Sequence, residues 1–205
     1  MDEDFEGFLE DFGPAIEKRA VPTSSLEYYH GKLPNKLLAY WQAYGWCGYA
    51  DGLFWTVDPE EYDSVVEAWI GETEFMEQDA YHIIARTAFG GLYFWGERSG
   101  FSLKVFAPGS YSVPHKSRFT GDKMDFGAQV FFGSLDPNDN DFEQLFAPTL
   151  KKLGRLRYDE MYGFVPALAL GGPATLDHLE KVKAVEHLVL LAQLSELRVM
   201  SGPEI

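Results

Sequence analysis

Residues 81–95, YHIIARTAFGGLYFW, consist of two apolar runs on either side of Gly90-Gly91. Two glycines between β-branched and aromatic residues predict a hairpin, because glycine adopts the positive φ angles of a tight turn at no steric cost. Side chains alternate along a strand, so both faces of this hairpin are predicted to be apolar and covered. One face would carry Phe89, Leu92 and Phe94, and the other Tyr93 and Trp95.

Helices and further strands are predicted on both sides of the hairpin. Apolar residues at helical spacing predict helices over 2–12, 35–44, 59–70, 141–152 and 176–195. Short apolar or alternating runs predict strands over 53–57, 101–108, 111–114 and 128–135. The sequence therefore predicts an α+β fold, with a mainly antiparallel twisted β-sheet flanked by N-terminal and C-terminal helices. The sheet would be centred on 81–106 and 128–135.

Several boundaries are predicted from turn and capping residues. Asp58 and Glu61 would form a capping box at the start of the helix over 59–70. A boundary near 100–110 would separate an N-terminal region, 1–105, from a C-terminal region, 106–205. The two regions are expected to share one continuous core, and the tail, 201–205, is predicted to fray.

Composition and charge restrict the classes of function. The 205 residues have 46% hydrophobic content and a formal net charge of −15. Such an excess of acids argues against direct binding to nucleic acids or to anionic membranes, since both require clustered Lys and Arg. The acidic N-terminus is unlike a signal peptide, and the single cysteine, Cys47, leaves no internal disulfide. A cytoplasmic location is expected.

The acidic residues are concentrated in one window. Residues 37–85 contain no Lys or Arg, but they contain ten Asp and Glu. Those within 58–67 belong to a helix and its start, whereas the later four follow the helix and have no evident local role. We therefore predict a partner-binding surface at these four positions and a second one in the turn at 136–141. The predicted residues are Glu72, Glu74, Glu77 and Asp79, and Asp136, Asp139 and Asp141. The alternative is that they are ordinary solvated acids.

Motifs that carry chemistry are absent from the sequence. It contains no phosphate loop, no Gly-x-Ser-x-Gly elbow and no His pair at metal-binding spacing. The oxygen-rich turn at 136–143 lacks the central Gly and distal Glu of a calcium loop, so a helix start is favoured there. Pairs of acids could in principle perform general acid–base chemistry, for example Glu77 or Asp79 beside His82, but chance pairs are plentiful among 32 acids. We predict no catalytic residue, no metal and no cofactor.

Short motifs in both halves resemble a known pair of domains. The N-terminal half resembles the GAD-like domain through Phe8, Phe12-Gly13, Val21-Pro22, Leu33-Pro34, Trp41, the run 49–55 (YADGLFW) and Asp58-Pro59. The C-terminal half resembles the domain that is paired with it through the run 163–172 (GFVPALALGG), Val182-Lys183, and Glu186-His187-Leu188 to Ala192-Gln193. Together they are similar to bacterial immunity proteins that neutralise a type VI secretion DNase toxin.

This resemblance implies a cytoplasmic, non-catalytic protein that binds a cognate toxin with a basic nuclease domain. An acidic inhibitor would be steered to such a surface and would block it. A second hypothesis is an intracellular scaffold or regulatory module that uses exposed Tyr or Trp near the turns between Trp46 and Trp55. A third is an enzyme that reverses the toxin's effect, and it rests on the acids near His82.

Overall fold

The computed structural model describes residues 2–200, so the predicted frayed tail lies outside the described residues. The strands are β1 (Ile16–Arg19), β2 (Trp46–Tyr49), β3 (Phe54–Thr56), β4 (Tyr81–Thr87), β5 (Gly91–Gly96), β6 (Gly100–Phe106), β7 (Tyr111–Pro114), β8 (Glu160–Phe164), β9 (Leu179–Lys183) and β10 (Arg198–Val199). The helices are α1 (Glu3–Phe12), α2 (Thr23–Tyr29), α3 (Asn35–Tyr44), α4 (Asp63–Ile70), α5 (Glu74–Gln78), α6 (Met124–Gly133), α7 (Pro137–Asn140), α8 (Phe146–Leu153) and α9 (Ala184–Leu194).

Eight strands form one sheet in the order β1-β2-β3-β4-β5-β6-β7-β10. Every pair in it is antiparallel except β7 with β10, and β8 and β9 form a separate antiparallel pair. The predicted α+β class, with a mainly antiparallel sheet, is confirmed. Within residues 2–200, no helix has the length and apolar character needed to cross a membrane.

The predicted hairpin is formed by β4 and β5 at the middle of the sheet. Gly90 has a φ of +86°, as a tight turn requires, whereas Gly91 is already the first residue of β5. Leu92 and Phe94 point into one apolar cluster, and Tyr93 and Trp95 into another. The predicted alternation and the covering of both faces are confirmed.

Helices from both ends of the chain cover the two faces of the sheet. On one face, Leu92 and Phe94 pack with residues of α4, α8, β8 and α9, and we call this the α4–α9 core. On the other face, Tyr93 and Trp95 pack with α1, α3 and α6, and we call this the α1–α6 core. The second core is mostly aromatic, for example with Phe5 and Phe8 about the ring of Phe132 at 5.0 and 5.2 Å. The division into regions 1–105 and 106–205 stays a prediction.

The predicted strand over 128–135 is wrong, because residues 128–133 belong to α6, which ends at Gly133. Its buried residues, Ala128, Phe131 and Phe132, recur at helical spacing and face α1 and α3. A short apolar run fits a strand or a buried helix equally well, and here the neighbouring helices decide the outcome.

The predicted helix over 176–195 is correct only from Ala184 onward. Residues 179–183 instead form β9, in which Leu179 pairs with Phe164 and Val182 with Met161 of β8. His178 and His187, predicted to share a helix, therefore lie on different elements. The partner strand is remote in sequence, so the local pattern did not reveal it.

Two further helix predictions need correction. Residues 141–145 are not helical, because Glu143 and Gln144 adopt left-handed φ angles of 47° and 62°, and α8 starts only at Phe146. The predicted helix over 59–70 consists of a 3₁₀ turn, Pro59–Tyr62, followed by α4. Asp58 does cap that turn, accepting a 3.2 Å hydrogen bond from the Glu60 N–H.

The predicted capping box between Asp58 and Glu61 is not formed. The Glu61 carboxylate instead accepts two hydrogen bonds, of 2.7 and 3.0 Å, from Arg19. The Asp58 N–H, which Glu61 would have bonded, donates to the Tyr158 hydroxyl at 3.1 Å. A long-range pair therefore replaces the local one.

Arg86 is fully buried and joins three distant segments. Its Nε donates to the Tyr62 hydroxyl at 2.8 Å, and one terminal nitrogen donates to the Tyr158 and Glu160 carbonyls, both at 2.8 Å. The guanidinium also lies 5.1 Å from the centre of the Trp55 ring. Among the described residues no carboxylate forms an ion pair with it, so neutral acceptors alone offset its desolvation.

We expect Arg86→Met to lower the free energy of unfolding by about 3–5 kcal/mol, because it leaves two carbonyls and a hydroxyl buried without donors. Chemical denaturation at neutral pH measures this. The matched control is Arg155→Met, which removes an exposed pair with Asp51 that also joins the two halves of the chain. It should cost no more than about 1 kcal/mol. Equal effects of the two substitutions would contradict a central role for Arg86.

Candidate functional site

The predicted acids at 72–77 lie in a layer of helices over the α4–α9 core. Trp69 of α4 donates its indole N–H to the Leu188 carbonyl of α9 at 3.1 Å, and α5 follows α4 after a short turn. The inward side of this layer is apolar, with Val66, Trp69 and Leu188 among its buried residues. Trp69 and Leu188 are 119 residues apart in sequence, so α4 and α9 are remote along the chain but lie side by side and present one outer face.

The exposed charged residues of α4, α5 and α9, and of the turn between α4 and α5, are all acids. Residues 63–78 and 184–194 include no Lys or Arg. Their exposed acids, which we call the acidic helical surface, are Asp63, Glu67, Glu72, Glu74, Glu77 and Glu186. Within residues 2–200, none of these six carboxylates takes part in an ion pair at 4.0 Å or less. Their negative charge is thus available to a cationic partner.

Three of the four acids predicted at this site belong to the acidic helical surface, but Asp79 does not. Asp79 is only 5% exposed, and its carboxylate accepts the N–H groups of Ala80, Arg98 and Ser99 and the Ser99 hydroxyl. Burial by itself would raise the pKa of this carboxyl, but the hydrogen bonds from Ser99 and Arg98 outweigh burial and lower the pKa. Asp79 therefore has a local role, contrary to prediction: it fixes the turn between β5 and β6.

The second predicted set lies elsewhere. Asp136 accepts the Asn138 N–H at 2.8 Å as the cap of α7, and Asp141 accepts the Phe146 N–H at 2.8 Å before α8. Asp139 is exposed. The segment passes the turn end of the hairpin, where Phe142 contacts Phe89 with ring centres 5.9 Å apart. The α5 acids lie near the start of β4, at the other end, so the two sets do not form one surface.

The structure does not support the acid–base pair proposed around His82. The His82 Nε2 is 2.9 Å from Glu97, not from Glu77 or Asp79. Among residues 2–200, no group of three or more His, Cys, Asp and Glu could hold a metal ion. The Cys47 thiol is buried, and burial raises its pKa, which makes it a poor nucleophile.

The aromatic anchors of the scaffold hypothesis are also not where they were predicted. Trp46, Tyr49 and Trp55 are each at most 1% exposed, so they belong to the two cores. The prediction of exposed aromatic residues at these turns is wrong. Each of these side chains lies on or beside the short strands β2 and β3, and both faces of those strands are covered.

Sequence reasoning missed the contribution of α9. From the sequence, Glu186 is named only in the motif of the resemblance, and no partner-binding role is predicted for Glu186, Asp63 or Glu67. A signal does exist, because 184–194 is free of Lys and Arg. It was hidden by the predicted helix over 176–195, which would have placed Lys181 and Lys183 on the same element.

The chain was compared with known protein families and structures. Residues 3–109 match the GAD-like domain, and residues 125–195 match the C-terminal domain of the T6SS immunity protein Tdi1. The crystal structure of Atu4351 from Agrobacterium tumefaciens superimposes with a TM-score of 0.86 at 20% sequence identity, and covers 98% of this chain and 93% of that one. At this identity the likeness shows a shared fold. No curated protein matches the chain.

We expect Asp79→Asn to lower the free energy of unfolding by about 2–4 kcal/mol at neutral pH, since it removes a charged acceptor from several buried donors. A lowered pKa means that the stabilisation is present above the unfolded pKa, near 3.9, and is lost as the pH falls through the folded value. Denaturation of both proteins between about pH 5 and pH 2 should therefore show the gap closing. Glu77→Gln, at an exposed position, is the control and should change little. A gap that does not depend on pH would contradict the role of the ionised carboxylate.

Proposed function

The chain belongs to the GAD-like domain family, and the match of residues 125–195 to the T6SS immunity protein Tdi1 supports an immunity-protein role; we propose that it neutralises a type VI-secreted DNase toxin. It would bind the nuclease domain and block its active or DNA-binding surface. Its place of action would be the cytoplasm, before the toxin reaches the chromosome. It would act without catalysis, cofactor or metal.

The acidic helical surface is the observation that supports this mechanism. A nuclease must hold a polyanion, and the surface that does so tends to be basic. Six exposed acids with no base among them would attract such a surface and would compete with DNA phosphates for the same Lys and Arg. The net charge of −15 extends the attraction beyond direct contact.

A rigid support makes the surface suitable for blocking. Val65 and Ile70 of α4 are fully buried, and Leu188 of α9 is too. The carboxylates are therefore presented from helices whose backbones do not need to be ordered on binding, which limits the entropic cost of association. Inhibition by occupation predicts one bound molecule for each toxin.

The first experiment is co-expression of the chain with the toxin encoded beside it, followed by calorimetry at two salt concentrations. We expect survival, one-to-one binding and a lower affinity at high salt, because salt screens exposed charges. Protection at substoichiometric ratios would instead support an enzyme that reverses the toxin's effect. Absence of both rescue and binding would contradict the immunity role.

The interface is tested by the triple substitution Glu72→Lys, Glu74→Lys and Glu77→Lys. We expect the association rate with the toxin to fall on the order of tenfold or more at low salt, because the steering charge is reversed. The control is Glu6→Lys, Glu10→Lys and Asp11→Lys in α1, which changes the net charge equally on the opposite face of the sheet. If both variants slow association to the same extent, net charge and not this surface would be responsible.

A further inference from the structure

The segment 165–174, VPALALGGPA, is an exposed loop without a charged residue. Leu170 is 64% exposed and Val165 is 40% exposed. The acidic helical surface does not include this loop. Its exposed apolar side chains matter because further apolar surface adjoins the loop, and contiguous apolar patches mark sites of interaction with other proteins.

Backbone contacts hold this loop in one shape. The Val165 N–H donates to the His178 carbonyl at 2.7 Å, and the Gly172 N–H donates to the Ala167 carbonyl at 3.1 Å. A Cβ at Gly172 would lie 2.0 Å from the Pro166 carbonyl oxygen, so only glycine permits this closure. Leu170 is therefore presented by an ordered loop, and little conformational entropy is lost when a partner covers it.

A cleft of about 520 Å³ adjoins the loop, and Leu168 of the loop lines it. Its other apolar walls include Phe106, Tyr111 and Phe142, and the rings of Phe106 and Phe142 stack with centres 5.5 Å apart. The aromatic walls and Leu168 provide the apolar centre that is typical of a protein interface, and Leu170 lies two residues further along the same loop.

Charged residues in the same cleft indicate the sign of its partner. Asp139, Asp141 and Glu143 line it, whereas Lys104 is the one cation in its lining. The Lys104 ammonium donates to the Tyr93 hydroxyl at 2.9 Å, and the three carboxylates outnumber its single positive charge. The cleft therefore has an excess of carboxylates around an apolar centre and is complementary to a basic segment that also carries an apolar side chain.

We propose that the 165–174 loop and this cleft form a second docking site, which binds a basic segment of the partner protein that also carries an apolar side chain. The proposal rests on the proposed function only for the identity of that partner, the toxin. The α5 acids of the acidic helical surface lie towards the other end of the β4–β5 hairpin, so the two sites would contact separate parts of the toxin. The apolar site would set the dissociation rate, while the acidic one would set the association rate.

The test measures binding of the full chain to the toxin, with dissociation rates for Leu170→Ala and for the pair Asp139→Lys and Glu143→Lys. We expect Leu170→Ala to speed dissociation on the order of tenfold, the effect of an interface anchor. The charge-reversed pair should also weaken binding. The control is Tyr28→Ala on α2, where a tyrosine is 58% exposed at a distance from the cleft. Unchanged melting temperatures would show that each variant is folded.

The possible outcomes separate this proposal from the proposed function. Tight binding by the wild type with no effect of Leu170→Ala or of the charge-reversed pair would overturn the docking site and leave the immunity role. Equal effects of Leu170→Ala and Tyr28→Ala would overturn it as well. No binding by the wild type would overturn the immunity role and, with it, the docking site.

Discussion

The burial of one positive charge is the constraint on which the structure depends. Arg86 lies in the central strand β4 and cannot keep its water, so its N–H groups must find acceptors within the protein. Those acceptors come from Tyr62, just before α4, and from residues 158–160, at the start of β8. Arg86 therefore connects the central hairpin to α4 and to the C-terminal half in the folded protein.

The acceptors around this internal cation are all uncharged. A carboxylate would be the usual partner of a buried arginine, but here carbonyls, a hydroxyl and an aromatic ring surround it. The exposed acids of α4 and α5 lie in solvent, and within residues 2–200 none of them forms an ion pair.

The sequence predicted those features that depend on neighbours along the chain. The alternating faces of β5 and the helical spacing of buried residues in α1, α3 and α4 follow from local pattern. Predictions failed where contacts with a segment that is remote in sequence determine the secondary structure. Residues 179–183 are extended because they pair with β8. Residues 128–133 are helical because their aromatic rings pack against α1 and α3.

The residues of the candidate site were also predicted only in part. Glu72, Glu74 and Glu77 were recognisable from the absence of Lys and Arg around them. Glu186 was not recognisable as part of the acidic helical surface, because its place there depends on the contact between Trp69 and Leu188. Asp79 was misplaced for a similar reason: its donors, at 98 and 99, belong to a turn that is formed only when β5 and β6 pair.

The division of the sheet's covering between two stretches of chain has a consequence for synthesis on the ribosome. The α1–α6 core is complete once residue 132 has emerged, whereas the α4–α9 core needs Leu191. Translation proceeds at about 5–20 residues per second, so for several seconds one side of the nascent hairpin is shielded while Leu92 and Phe94 on the other are not. That side is prone to aggregation in the interval, and only the finished polypeptide would present α4, α5 and α9 together to a toxin.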